Sequence, residues 1–135
     1  MENERLDNLV TLSREFGRED RGWAILGEGN TSTLSGKGTY YVKASGSRLG
    51  QASREDFTEV NLKKALEYVA QSSLSDEQVI HALESIKIDP MAKLPSVETF
   101  VHAVCLSEGN CEWVGHAHPE SVLSILCSAM GTKPY

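Results

Sequence analysis

The sequence predicts an α/β domain, and three observations carry that prediction. Segments with apolar residues at helical spacing alternate along the chain with short runs rich in Val, Thr, Tyr and Trp. Hydrophobic residues make up 40% and charged residues 24%, a balance that supports a buried core and does not resemble a disordered chain. The length of 135 residues is that of one domain, so residues 1–135 are read as a single unit.

Asn3 to about Phe16 reads as the first helix. Leu6, Leu9, Val10 and Phe16 fall near one face, and Gly17 stands where a helix C-cap belongs. Trp23 to Leu26 reads as a short apolar strand. Thr31–Leu34 and Thr39–Ala44 flank "SGKG", a hairpin turn, and Tyr40, Tyr41 and Val42 suit the second strand. Between Ser53 and Gln71 two readings stand: a helix beginning near Ser53 and Asp56, or a strand over Phe57–Leu62 with a helix from about Lys63. Ser75 and Gln78 form a capping box for a helix running to about Ile86. Pro90 and Pro95 bracket a loop. Ser96 precedes a helix over Val97–Leu106, with apolar faces supplied by Phe100, Val101, Val104 and Cys105. Glu112–His116 is a strand. Pro119, at the first helical position, opens a last helix in which Val122, Leu123, Ile125 and Leu126 are apolar.

The net charge of −6, with no basic stripe, argues against nucleic acid and anionic membrane surfaces as partners. A compact anion remains compatible, because a helix N-terminus or a few backbone amides can overrule a global charge. No run approaches the ~20 apolar residues of a membrane span, and "MENERLDNLV" lacks the apolar stretch of a signal peptide. Cys105, Cys111 and Cys127 are odd in number and lack C-x-x-C spacing, so they read as buried free thiols. Together these features predict a reducing, cytoplasmic compartment.

Four short motifs could carry chemistry. The first is His116-Ala117-His118. Residues i and i+2 of a strand share a face, so both imidazoles point the same way. Imidazole is the commonest ligand for zinc-like metals, and two of them supply two of the three protein ligands a catalytic zinc needs. Cupin-like barrels also use this spacing, but there the chain continues as strand, whereas here a helix follows. The second, "GEGNTS" (Gly27–Ser32), combines glycines that let backbone N–H groups approach an anion with donors on Asn30, Thr31 and Ser32. It is neither a P-loop nor a dinucleotide fingerprint, and alone it reads as a plain turn. The third, "KASGS" (Lys43–Ser47), ends a strand in another donor-rich turn. In the fourth, "LPSVETFVH" (Leu94–His102), Ser96 stands at a helix start where its hydroxyl and the free N–H groups could hold a phosphate. Glu98 lies in the first turn, a favourable place against the helix dipole even without a catalytic role. His102, four residues on, faces the same side and reads as a structural hydrogen-bonding histidine. His81 reads as a solvated surface residue. No Ser/His/Asp order forms a nucleophilic triad, and no lysine sits in an obvious apolar pocket.

In this order the motifs resemble the class II aldolase/adducin family of metal-dependent sugar-phosphate aldolases and ribulose-phosphate 4-epimerases. The resemblance runs from about Leu9 to Met130. "YYVKASGSRLG", with a helical pair before "PSVETFVHA", is most similar to the aldolase portion of bifunctional rhamnulose-phosphate aldolase/alcohol dehydrogenases. It implies a three-layer α/β/α sandwich around a mostly antiparallel central sheet, incomplete at the C-terminus, in an oligomer that is usually a cyclic tetramer. It implies that Asn30, Ser32, Ser45, Gly46, Ser96 and the backbone of Val97 hold a substrate phosphate. Glu98 becomes the acid/base, and His116 and His118 the ligands of Zn²⁺ or another divalent metal. The implied reaction is aldol cleavage or condensation of a ketose 1-phosphate, giving dihydroxyacetone phosphate and an aldehyde. The metal polarises the donor's oxygens while Glu98 moves the carbon-bound proton. Alternatives within the resemblance are a 4-epimerase, a dehydratase or a non-catalytic adducin-like binding module. The expected partner is a small-molecule sugar phosphate, with no nucleic acid and no membrane. Two departures stand out. Glu28 replaces the first glycine of the family's G-G-N turn and brings a negative charge beside the phosphate loop. The family's third metal-binding histidine lies downstream on a later strand, with no counterpart before Tyr135, so the resemblance reads the chain as truncated.

Overall fold

The computed structural model describes residues 2–36 and 38–128. The elements are α1 (Glu2–Phe16), β1 (Asn30–Leu34), β2 (Thr39–Lys43), β3 (Phe57–Asn61), α2 (Leu62–Val69), α3 (Asp76–Ile86), α4 (Thr99–Glu108), β4 (Trp113–His116) and α5 (Glu120–Leu126). The strands form one antiparallel sheet in the order β3-β2-β1-β4. The expected hairpin pairs β1 with β2, although Lys37 of its turn lies outside the described residues.

Strand alternation sorts the side chains into two layers. Tyr40, Val42 and Val60 point to one face, where they pack with Ala65, Leu83, Ile86, Ala103 and Leu106 of the α2–α4 layer. On the other face Leu9 of α1 packs with Ala52 and Phe57, and Tyr41 lies against them. The result is the expected α/β/α arrangement. Burying side chains such as Leu83 and Ile86, both fully enclosed, stabilises the fold by roughly 1.5–3 kcal/mol each. No described helix is long and apolar enough to cross a membrane.

Several local expectations need correction. Trp23–Leu26 is not a strand. Leu26 has a φ of 55° and the Trp23 carbonyl accepts from the His118 amide at 2.7 Å, so the segment is a loop braced against the later chain. Gly17 does not act through a left-handed cap. Its use is close approach: a Cβ there would lie 2.3 Å from the Gly50 nitrogen, so the end of α1 touches the turn at Leu49–Gln51 only because both residues lack side chains. The strand-then-helix reading of the 53–71 segment is the one realised. Asp56 closes a short 3₁₀ turn with a Ser53 capping box, and Asn61 caps α2 by accepting from the Lys64 amide. The Ser75/Gln78 capping box forms as expected. Ser96 does not cap α4; Val97 and Glu98 form a preceding turn, and Glu98 itself is the N-cap. Pro119 is the N-cap of α5 rather than its first residue. The cysteines are free but not buried: Cys105 and Cys127 are exposed and Cys111 is half-buried. Their apolar neighbours in sequence face outward with them, as Val101 and Val104 do on α4.

Candidate active site

All four motifs meet along one end of the sheet, and backbone hydrogen bonds bring them there. Beyond β2 the chain pairs with the segment before α4. Ser45 donates its amide to the Leu94 carbonyl at 2.9 Å, and Ser96 donates to the Lys43 carbonyl at 3.1 Å. This clamp sets the "SG" turn beside "PSVE". Antiparallel pairing sets Asn30 of β1 opposite His116 of β4. On β4, Gly115 faces α1, where a Cβ would lie 3.0 Å from the Phe16 ring, so Val114 and His116 turn toward α4.

Lys43 adds a second clamp that the sequence did not reveal. Its side chain is 2% exposed, and its ammonium donates to the carbonyls of Gly27 (3.2 Å), Ala44 (3.4 Å) and Ser47 (2.7 Å). Burial lowers its pKa, while Glu98 and Asp56 pull the other way. A single buried cation thereby ties the "GEGN" loop to the "ASGS" turn. The strand pattern "TYYVK" sets Lys43 on the same face as Thr39 and Tyr41, and the loops that close over that face bury it.

At the centre stands Glu98. Its Oε2 accepts from Asn30 Nδ2 at 3.1 Å and lies 3.3 Å from His116 Nδ1. The Nε2 atoms of His116 and His118 face each other at 3.1 Å. Glu98, His116 and His118 offer ligand atoms that all lie within 4.8 Å of one another. Beneath them Ser32 bonds His102 Nδ1 at 2.6 Å, both residues fully buried. The His102 pKa falls to about 4, first through burial and then through the neighbouring His116, against the opposing pull of Glu98. His102 is therefore a neutral structural residue at physiological pH.

The expected phosphate donors divide. Ser45 and Gly46 are exposed, Ser96 is half-buried beside them, and Val97 is 65% exposed on the same turn. Gly46 has a φ of 76°, and nothing lies within 4 Å of where its Cβ would be. Asn30 is buried and spends an amide hydrogen on Glu98. Ser32 corrects the expectation: it lies inside the sheet layer with its hydroxyl committed to His102, so it is not available to an anion.

The donor set fits a divalent cation. Two zinc–nitrogen bonds at a tetrahedral angle put their nitrogens about 3.3 Å apart, close to the 3.1 Å between the imidazole Nε2 atoms. Asn30 Oδ1 is also buried without a hydrogen-bond partner, and the 3.3 Å approach of Glu98 Oε2 to the buried His116 Nδ1 does not make a hydrogen bond, so the site holds more polar capacity than the protein itself satisfies.

Residues 7–134 match the family described as "Class II Aldolase and Adducin N-terminal domain". The chain is 28% identical over 136 residues to the Bacillus subtilis (strain 168) protein named "Uncharacterized oxidoreductase YuxG", covering 95% of this chain and 19% of that protein. Among solved structures, it is similar to the N-terminal class II aldolase domain of a conserved protein from Thermoplasma acidophilum. That match has a TM-score of 0.80 and 31% identity, and covers 92% of this chain and 59% of the other. The L-fuculose-1-phosphate aldolase of Thermus thermophilus shares the fold with a TM-score of 0.59 at 20% identity, over 93% of this chain and 51% of that one. The chain thus spans a fifth of the curated relative and little more than half of each of these solved structures.

Proposed function

The chain belongs to the class II aldolase and adducin N-terminal domain family, and from that premise we propose that it carries the metal and acid/base centre of a sugar-phosphate lyase. The substrate is a ketose 1-phosphate, cleaved to dihydroxyacetone phosphate and an aldehyde or formed from them. The observation that carries this reading is the convergence of Glu98, His116 and His118 beside a turn of small donors.

His116 and His118 would hold the divalent cation, Zn²⁺ or another, which when bound supplies Lewis-acid stabilisation of negative charge developing on the substrate oxygens. Ser45, Gly46, Ser96 and the Val97 amide bind the phosphate through neutral donors, so the net charge of −6 is no obstacle. In condensation the Glu98 carboxylate takes the proton from the donor carbon; in cleavage it returns that proton. Asn30, bonded to Glu98 Oε2, keeps the carboxylate in one orientation. In the whole protein these sites belong to a homo-oligomer.

Incubating the protein with Zn²⁺ and fuculose- or rhamnulose-1-phosphate tests the reading, with dihydroxyacetone phosphate followed by a coupled assay and all products by NMR. Release of the triose phosphate is expected, and Glu98→Gln reduces it by about 10²–10⁴-fold. Isomerised sugar without triose would reassign the site to epimerisation. No product with metal confirmed bound would overturn the catalytic reading.

A further inference from the structure

His118 makes a contact that the proposed metal centre does not use. Its Nδ1 lies 3.5 Å from the Glu28 Oε2, while its Nε2 faces His116. Glu28 is the residue that departs from the family's glycine, and no phosphate-binding role accommodates a carboxylate there. Resting on the metal-centre reading, we infer that Glu28 is a positioning residue: it holds His118 as the Nδ1–H tautomer, with the bare Nε2 aimed at the cation.

The argument is one of lone pairs. A neutral imidazole has one N–H and one acceptor nitrogen, and the partner of one nitrogen decides the state of the other. A carboxylate accepts and never donates when ionised, so Glu28 favours a proton on the nearer Nδ1. His118 Nε2 is then left with its lone pair, the form a metal requires. A carboxylate–histidine–metal relay of this kind raises ligand basicity and fixes the ring.

The backbone supports the contact. Glu28 donates its amide to the Ile25 carbonyl at 2.9 Å, closing a turn. Gly29 follows at φ 76°, and a Cβ there would lie 2.8 Å from the Ala24 Cβ and 3.2 Å from the His116 carbonyl oxygen. The loop therefore presses directly on the end of the strand that bears His116. From the other side, the His118 amide donates to the Trp23 carbonyl at 2.7 Å and the Glu120 amide to the Gly22 carbonyl at 3.0 Å. Glu28 and His118 are thus held together by main-chain contacts that a side-chain substitution leaves in place. The Glu28 side chain is 52% exposed, which places the effect at the small end of its class.

The test compares wild type, Glu28→Gln and Glu28→Ala. Long-range ¹H–¹⁵N spectra of metal-free protein at pH 8 report the His118 tautomer, and competition with a chromophoric chelator reports Zn²⁺ affinity. Wild type is expected to show the Nδ1–H form. Glu28→Ala gains the Nε2–H form and binds Zn²⁺ about 10-fold more weakly. Glu28→Gln, which retains an acceptor oxygen, falls between them. An unchanged tautomer in Glu28→Ala overturns the inference, as does unchanged Zn²⁺ affinity in a protein that binds the metal. If wild type binds no Zn²⁺, the metal centre itself fails, and the tautomer alone then decides the role of Glu28.

Discussion

Among the described residues, the strands at the two flanks of β1 are covered differently. On one side β2 lies between β1 and β3, with Tyr40 and Val42 fully buried under α2, α3 and α4. On the other, β4 has no fully buried residue and α5 none either, with Ile125 and Leu126 at 55% and 60% exposure. Yet the proposed centre spans both. Glu98 is anchored by the covered side: Tyr40 donates its hydroxyl to the carbonyl of Thr99, the next residue along, at 2.8 Å. The histidines belong to the less covered side, held through their main chain, with their Nε2 atoms turned toward each other at 3.1 Å. Among the described residues, the difference sets a packed layer that fixes Glu98 apart from the strand and loop that carry the histidines. A base needs a fixed position, whereas ligands for a cation and a substrate need an approach.

That separation can be broken or sharpened by substitution. The largest loss of stability is expected in the closed half. Leu83→Ala leaves a cavity between α3 and the sheet and costs about 2–5 kcal/mol, read from the urea midpoint. A smaller cost would mean that the α3 layer is looser than its complete burial implies. Next comes Lys43→Met, which removes the shared donor of three carbonyls and is expected to cost about 2–3 kcal/mol. It also loosens the turn at Ser45 and Gly46 proposed to hold the phosphate, so the KM for the sugar phosphate is expected to rise more than kcat falls. Stability unchanged in Lys43→Met would show that water replaces the ammonium without loss.

The third effect depends on pH. His102 titrates at about 4 when folded and at 6.5 when free, so the unfolded chain takes up its proton first. Its contribution is intact above pH 6.5 and is lost as pH falls toward about 4. The expected slope is at most about 1.4 kcal/mol per pH unit. His102→Asn, which preserves a donor toward Ser32, is expected to flatten that part of the profile; identical slopes would assign the acid sensitivity elsewhere. The smallest stability effect is expected on the less covered side. His118→Ala shifts the metal-free midpoint by less than about 0.5 kcal/mol, while stoichiometric Zn²⁺, measured by elemental analysis, disappears. A large destabilisation without metal would erase the contrast between the halves.

Much of this arrangement was legible locally. The Ser75/Gln78 box, the hairpin around "SGKG" and the terminal proline helix are encoded within a few residues, where caps and periodicity act. The convergence of His116 and His118 was legible from their spacing, although β4 ends at His116 and His118 is set by its loop, whose amide meets the Trp23 carbonyl. Legibility failed where the deciding partner is remote. Trp23–Leu26 has strand composition, but the Trp23 carbonyl is met by the His118 amide. Ser32 carries a donor in a suggestive motif, yet His102 lies 70 residues away and claims it.

The sequence by itself determined most of the element types outside residues 23–26 and 53–71, the antiparallel hairpin, the four motifs and the family they resemble, because short-range sterics, hydrogen-bond caps and apolar spacing act without knowledge of the rest of the chain. Only the tertiary structure decided that Lys43 is buried and shared between two turns, that Ser32 faces inward, and that Glu28 stands against His118. Those outcomes depend on which backbones approach which. Close packing settles that question for the whole layer at once, through contacts between residues that no local pattern connects.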